Sequence, residues 1–348
     1  MVEQSEVISE DEAALYDRQI RLWGLDAQKR LHAARVLVIG MRGLGAEVVK
    51  NVVLAGVKSI TLLDHSQVTK EDACSQFLVH RSEIGKNRAE SSLEKTQKLN
   101  PMVNVKALPD EASEKPDDFF LQFSVICATC CSSELLQRLD NLCFKNNIKF
   151  FAGDVFGYYG FMFSDLGQHE YAEEVLKKLE PSTDVDEQGE SCSPPTKKKK
   201  VDDKETVVVK KSVTFCRLQN ALEFDWSSSD AKTLKKTPNT YFIFLLSFIK
   251  QMGRRPAIES KEEDKNKLQA IRQETLEQMK INPDTLQEEI FNHCFAEVGP
   301  VCAIVGGVLA QEIIKAVSHK DQPHNNFFFY NGMDGSGLVD CIGATTEK

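Results

Sequence analysis

The 348-residue sequence lacks a basic excess: 52 acidic residues outnumber 43 lysines and arginines, leaving a formal charge of −9. An acidic chain does not track a phosphate backbone by charge alone, so nucleic acid is excluded as a general partner. Long apolar runs are missing too. Tyr241 to Ile249, with Ser247 inside it, is the longest, far short of the roughly 18 residues of a bilayer span. No membrane partner is expected. The opening MVEQSEVISEDEAA is acidic and has no apolar h-region, so the chain reads as a soluble intracellular protein without a secretory signal.

Metal-ligand patterns are also scarce. Cys127-Ala-Thr-Cys130 has the spacing of half a zinc site, but no second C-x-x-C or H-x₃₋₅-H pair is expected to complete it, and no histidine falls in an H-E-x-x-H pattern. No metal site is expected, and the ten cysteines read as small buried apolar residues. A thioredoxin-like redox site is disfavoured, because no aromatic or Pro-rich loop adjoins the pair.

What the sequence does hold is a βαβ signal from Arg35 to Asp64. Val36-Leu-Val-Ile39 is a short β-branched run of the kind buried in a parallel sheet. Gly40-Met-Arg-Gly43-Leu-Gly45 punctuates it. Ala46 to Val57 then places apolar residues at 48, 49, 52, 53 and 57, a helical spacing that ends near Gly56. Ser59 to Leu63 reads as a second strand, closed by Asp64. Strand, glycine loop, helix, strand and terminal acid within about 30 residues is the dinucleotide-type layout.

The alternation continues. Helices are predicted at 87–99 and 135–146, strands at 103–108, 124–128 and 148–152, and a hairpin over 153–166. Helices over 239–252, 261–280 and 301–317 and strands at 326–330 and 337–341 follow. Such alternation predicts an α/β fold, a doubly wound, mostly parallel sheet covered on both faces. From 172 to 214 there is no aromatic residue, and dense charge with a Pro194-Pro195 pair cannot offset the entropy of ordering. The expected organisation is a first α/β part over 1–171, a flexible charged insertion over 172–212, and 213–348 completing the same domain. Disorder is expected over about 180–206.

Three features bear on function. A glycine turn at a strand end brings backbone N–H groups to a helix N-terminus, where phosphate binds, and Asp64 stands where an acid bonds a ribose hydroxyl. The order here is G-x-x-G-x-G, and Arg42 occupies the position of closest phosphate approach. Nucleotide binding and a turn kept only for strand–helix packing are equally compatible with that loop. Tyr16 to Gly24 fits a surface helix with an i, i+4 Asp17–Arg21 pair, and also an arginine presented to a phosphate or partner. Lys197-Lys198-Lys199-Lys200, with prolines before and Asp202 after, suits a nuclear import receptor better than a solvated charge run.

Taken together, YDRQIRLWG (16–24), GMRGLGAE (40–47), LLDH (62–65), GDVFGYYG (153–160) and PVCAIVGGVLAQEIIKA (300–316) resemble the activating enzymes of ubiquitin-like proteins. The likeness covers nearly all of the chain outside about 172–212. Its length and its HNNFFFYNGMDGSG end are similar to the smaller subunits of the heterodimeric members that activate SUMO. The resemblance implies a Rossmann-like adenylation fold and a division of labour. A larger catalytic subunit adenylates the SUMO C-terminus with Mg-ATP and takes it as a thioester on its own cysteine. The smaller chain has a decayed nucleotide site and is inactive alone, so ATP and Mg are held mainly by the partner. Gly40, Gly43, Gly45 and Asp64 would be the remains of that site, with Arg42 for a glycine, Ser75 for an arginine, Arg88 for a lysine and Cys131 for an acid. Arg18 matches an arginine that reaches the partner's nucleotide phosphates, with Arg21 as a weaker second. The implied partners are the larger subunit, SUMO and, through the lysine run, an import receptor, which places the chain in the nucleus. Two other functions compete with this one. A nicotinamide oxidoreductase conflicts with the glycine order and with the lack of a placed acid/base. A homodimeric sulfur-carrier or modifier adenylating enzyme needs the intact loop and zinc cysteine pairs.

Overall fold

In the computed structural model, residues 10–176, 206–226, 228, 234 and 237–343 are described. The lysine run at 197–200 and most of the expected insertion lie outside them. The strands are β1 (Arg35–Ile39), β2 (Ser59–Leu63), β3 (Asn104–Leu108), β4 (Val125–Thr129) and β5 (Lys149–Phe156). They continue with β6 (Tyr159–Asp165), β7 (Gln168–Leu176), β8 (Thr206–Thr214), β9 (Phe327–Asn331) and β10 (Ser336–Asp340). Helices of six residues or more are α1 (Glu10–Leu15), α2 (Asp17–Trp23), α3 (Leu25–Ala33), α4 (Gly43–Leu54) and α5 (Arg88–Leu99). The rest are α6 (Ser133–Lys145), α7 (Thr237–Met252), α8 (Lys261–Met279) and α9 (Gly299–Ser318).

Eight strands form one sheet in the order β10-β9-β6-β5-β4-β1-β2-β3. β3, β2, β1, β4 and β5 run parallel, and β6, β9 and β10 extend the sheet antiparallel. Register follows the alternation of side chains. Val36 and Val38 point to one face and pack with α4 and α9, through Val48, Val49, Val52, Leu309 and Ile313. Leu37 and Ile39 point to the other, among Phe150, Phe163, Phe244 and Phe248. Local signals place the helices: Asn87 caps α5 by accepting from the Glu90 N–H, and Ser132 caps α6 by accepting from Leu135. The sheet is thus mostly parallel and covered on both faces.

One expectation is corrected. Residues 172–176 and 206–212, assigned above to a flexible insertion, belong to an antiparallel ribbon of β7 and β8. Cross-strand hydrogen bonds order that segment, a source that composition does not register. By length and composition α9 is apolar enough to cross a membrane. It packs as a core helix, with 61% of its apolar window buried in the protein.

Beside the ribbon, the Arg217 Nε lies 3.2 Å from Asp140 Oδ2 and 3.1 Å from Asp165 Oδ2. Both carboxylates are buried, and one guanidinium serves two anions. Burial, and then the neighbouring Asp165, pushes the Asp140 carboxyl up to about 7 against the pull of Arg217. Its folded pKa lies above the unfolded one, so the pair's contribution is full in acid and is lost as pH rises through about 7. Asp165→Asn, which keeps the acceptor for the Gly167 N–H, is expected to flatten that loss. Thermal unfolding midpoints of both proteins from about pH 5 to about pH 9 check it, and parallel curves would contradict it.

Candidate functional site

Strand order reverses between β1 and β4, and ligands in open α/β sheets bind outside the strand C-termini at such a point. A cleft of about 900 Å³ opens there, lined among others by Gly40, Arg42, Asp64, Ser75, Arg88 and Cys131. Of the residues singled out in the sequence, the glycine loop and Asp64 therefore meet at one site. Its volume alone would admit a nucleotide.

The groups that would hold one are already engaged. α4 begins at Gly43, three residues earlier than predicted, because the loop glycines themselves enter the first turn. Gly45 is required there, since a Cβ would collide with the Gly40 carbonyl oxygen. The N-terminal N–H groups of a helix attract an anion. That anion is internal: the Gly43 N–H donates to Glu297 Oε2 at 2.7 Å. The Met41 N–H donates to Asp64 Oδ2 at 2.8 Å. Asp64 is further occupied by Ser66 N–H at 2.9 Å and by the Arg88 Nη1 at 2.8 Å. Arg88 also reaches Asp72 at 3.0 Å. All three of these charged side chains are at most 5% exposed.

Glu297 belongs to a second buried cluster. Cys130 Sγ, a carboxylate oxygen of Asp154 and one of Glu297 lie within 4.8 Å of one another, a donor set able to hold a metal ion. A cation is present among them. The Arg255 Nη1 stands 3.0 Å from Cys130 Sγ, 3.2 Å from Asp154 Oδ1 and 3.4 Å from Glu297 Oε1. Its Nη2 donates to the Val155 carbonyl, and its guanidinium lies 4.7 Å from the Phe156 ring centre. Burial opposes the charge on Arg255, but Asp154, Cys130 and Glu297 outweigh it and hold its pKa above the ordinary value. Burial pushes the Asp154 carboxyl up to about 6, with Arg255 pulling against it. Burial first, then Asp154, raises the Cys130 thiol, which remains protonated.

The sequence offered no motif for this cluster, because its members come from positions 130, 154, 255 and 297. Cys130 falls in the Cys127-Ala-Thr-Cys130 pair, Asp154 in GDVFGYYG and Arg255 in Gly253-Arg-Arg-Pro256, a break between two predicted helices, but no spacing links them. His319 and His324 stand in H-x₄-H spacing, against the expectation that the chain holds no such pair. They stack on His169 and Phe328, respectively. Among the described residues, the metal-capable group does not include them.

Arg18 and Arg21 do not line the cleft. Both stand exposed on α2, where Arg21 pairs with Asp17 at 3.0 Å. Arg18 and Leu22 are four residues apart on one helix face, and Leu22 is 73% exposed. Leu15, Leu25 and Leu54 add further exposed apolar surface, with Leu54 joined to α2 by Gln19 Nε2 donating to its carbonyl at 3.1 Å. An arginine among exposed leucines is the composition of an interface.

Removing the cation tests the internal filling. Arg255→Met should cost about 3–5 kcal/mol, the range for stranding one half of a buried ion pair. Adding Asp154→Asn should recover part of that loss. Urea unfolding measures both, and a loss below about 1 kcal/mol would mean that Arg255 does not hold the cluster together.

The sequence pattern of the ThiF family matches residues 16–344. SUMO-activating enzyme subunit 1 of Homo sapiens is 53% identical over 349 residues, covering 99% of each chain. The Xenopus laevis protein of that name is 53% identical over 348 residues, covering 99% of this chain and all of its own. The Danio rerio protein is 53% identical over 338 residues, or 96% of each. With its glycine loop, parallel sheet and α9 all inside the matched region, the chain belongs to the ThiF family.

Proposed function

We propose that the chain is the smaller, non-thioester-forming subunit of a heterodimeric SUMO-activating enzyme, working with a larger catalytic subunit that holds ATP and Mg. Full-length identity to SUMO-activating enzyme subunit 1 supports the process and the need for a partner subunit. One observation carries the division of labour: the Glu297 carboxylate sits on the Gly43 N–H, where a phosphate oxygen would lie. With Asp64 bound to Arg88, the two recognition points for a nucleotide are both satisfied from within. Expelling Glu297 would take from buried Arg255 one of its two carboxylate partners, a cost met before any ligand was bound.

The chain's contribution is therefore scaffold and interface. Arg18, with Leu15 and Leu22 exposed beside it, is positioned for a homologous partner related by a pseudo-two-fold axis. In adenylation a carboxylate oxygen of SUMO attacks the α-phosphorus of ATP and pyrophosphate leaves. A guanidinium held beside those oxygens stabilises the charge that develops, without reorganising in the act. Arg21, held by Asp17, is the weaker candidate. Nuclear residence and recognition of Lys197 to Lys200 by an import receptor complete the proposal.

In assembled heterodimer, Arg18→Ala should slow ATP–pyrophosphate exchange by about 10²- to 10³-fold, the effect of losing one preorganised donor. Arg18→Lys should restore only part, because a point charge does not reproduce the planar fork. A wild-type rate per intact heterodimer would reject the trans-acting arginine. For import, alanine at Lys197 to Lys200 should move the isolated chain toward the cytoplasm with its thermal unfolding unchanged. Undiminished nuclear accumulation would refute the lysine run as the signal.

A further inference from the structure

α2 is only seven residues long and lies at the surface, so the direction in which it aims Arg18 depends on what pins its ends. Its first turn is pinned by Tyr16. The Ile20 N–H donates to the Tyr16 carbonyl at 2.8 Å, and Gly24 repeats that bond to Ile20 at 2.8 Å, so the backbone of Tyr16 sets the path of the whole helix. The Tyr16 ring is 3% exposed although its helix is not buried. Its hydroxyl accepts from Asn100 Nδ2 at 2.8 Å, and the same nitrogen donates to the Val53 carbonyl at 2.9 Å. Asn100 Oδ1 accepts from the Met102 N–H at 3.1 Å, which fixes the amide's orientation.

The seat for the ring is made by Gly56. It has φ +81°, and a Cβ there would lie 2.5 Å from Tyr16 Cζ. Asn100 stands at the end of α5 and Gly56 just beyond α4, so two helices of the core meet the phenol. Gln19 adds one exposed contact at Leu54, and at the far end of α2 Trp23 Nε1 donates to buried Gln28 Oε1 at 3.0 Å, so Tyr16 is what secures the first turn, where Arg18 stands.

We infer that Tyr16 is a positioning residue: the phenol held between Asn100 and Gly56 fixes the angle at which α2 presents Arg18 to the partner's nucleotide. This rests on the proposed role of Arg18. The phenol touches no reacting atom. It acts through the helix, and displacement of a catalytic group by a fraction of an ångström to an ångström has large effects on rate.

Tyr16→Phe keeps the ring and removes the hydroxyl that accepts from Asn100. In purified full-length heterodimer it is expected to lower kcat for ATP–pyrophosphate exchange by roughly three- to tenfold, with the half-saturating ATP concentration unchanged. In an Arg18→Ala heterodimer the same change should have no further effect, because nothing is left to aim. Gly56→Ala, which pushes on the ring itself, should show the same dependence on Arg18 and serves as a second variant. A similar loss in both backgrounds would overturn the inference, since Tyr16 would then support the fold generally. So would wild-type rates in Tyr16→Phe and Gly56→Ala while Arg18→Ala is slow. Wild-type exchange in Arg18→Ala itself would remove both this inference and the role of Arg18 beneath it.

Discussion

The buried guanidinium of Arg255 is the constraint around which the cleft is built. Asp154 and Glu297 cannot both lie charged in the protein interior without a cation, and a lone carboxylate there would take up a proton instead. Arg255 supplies the cation, and in doing so ties the segment after α7 to the ends of β4 and β5. Glu297, held from one side by Arg255, is left with its second oxygen on the N-terminus of α4. Two features that look unrelated, a charge cluster and an occupied glycine loop, therefore have one cause.

α4 connects the two halves of the account. Its N-terminal N–H groups meet Glu297, while the carbonyls that every helix leaves open at its C-terminus are taken by side chains from elsewhere. Asn100 reaches Val53, Gln19 reaches Leu54, and Gln28 reaches Ala55 at 3.0 Å. The first end is capped by an acid of the chain itself. The other anchors the N-terminal helices on which Arg18 stands exposed. Under the proposed function a nucleotide-binding framework has kept its shape while its chemistry has passed to the neighbouring subunit.

Much of the fold was legible because it is written in local patterns. Val36 to Ile39, Ser59 to Leu63 and the spacing of Val48, Val49, Val52 and Val53 carry the β1–α4–β2 unit directly, and all but Ser59 are buried. The start of α4 was misjudged because Gly43 and Gly45 read as loop, whereas close strand–helix approach needs glycine inside the first turn. The β7–β8 ribbon was hidden because its order comes from pairing across a gap in sequence, which composition does not encode. Asp64 and the glycines were legible as a site, since they fall within one βαβ unit. Arg255 and Glu297 were not, because a charge cluster assembled from four distant segments leaves no spacing to read. The resemblance to activating enzymes pointed to a decayed site through Arg42, Ser75 and Cys131. The structure adds the acid that stands on the loop.

The central claim is that the nucleotide-recognising groups of this chain's cleft are paired from within and that, under the proposed function, one nucleotide site serves the pair. Equilibrium dialysis of labelled ATP against the isolated chain and against the assembled heterodimer tests it most directly. The account predicts no saturable binding to the chain alone and one ATP per heterodimer. Two nucleotides per heterodimer, or saturable binding to the isolated chain, would contradict it.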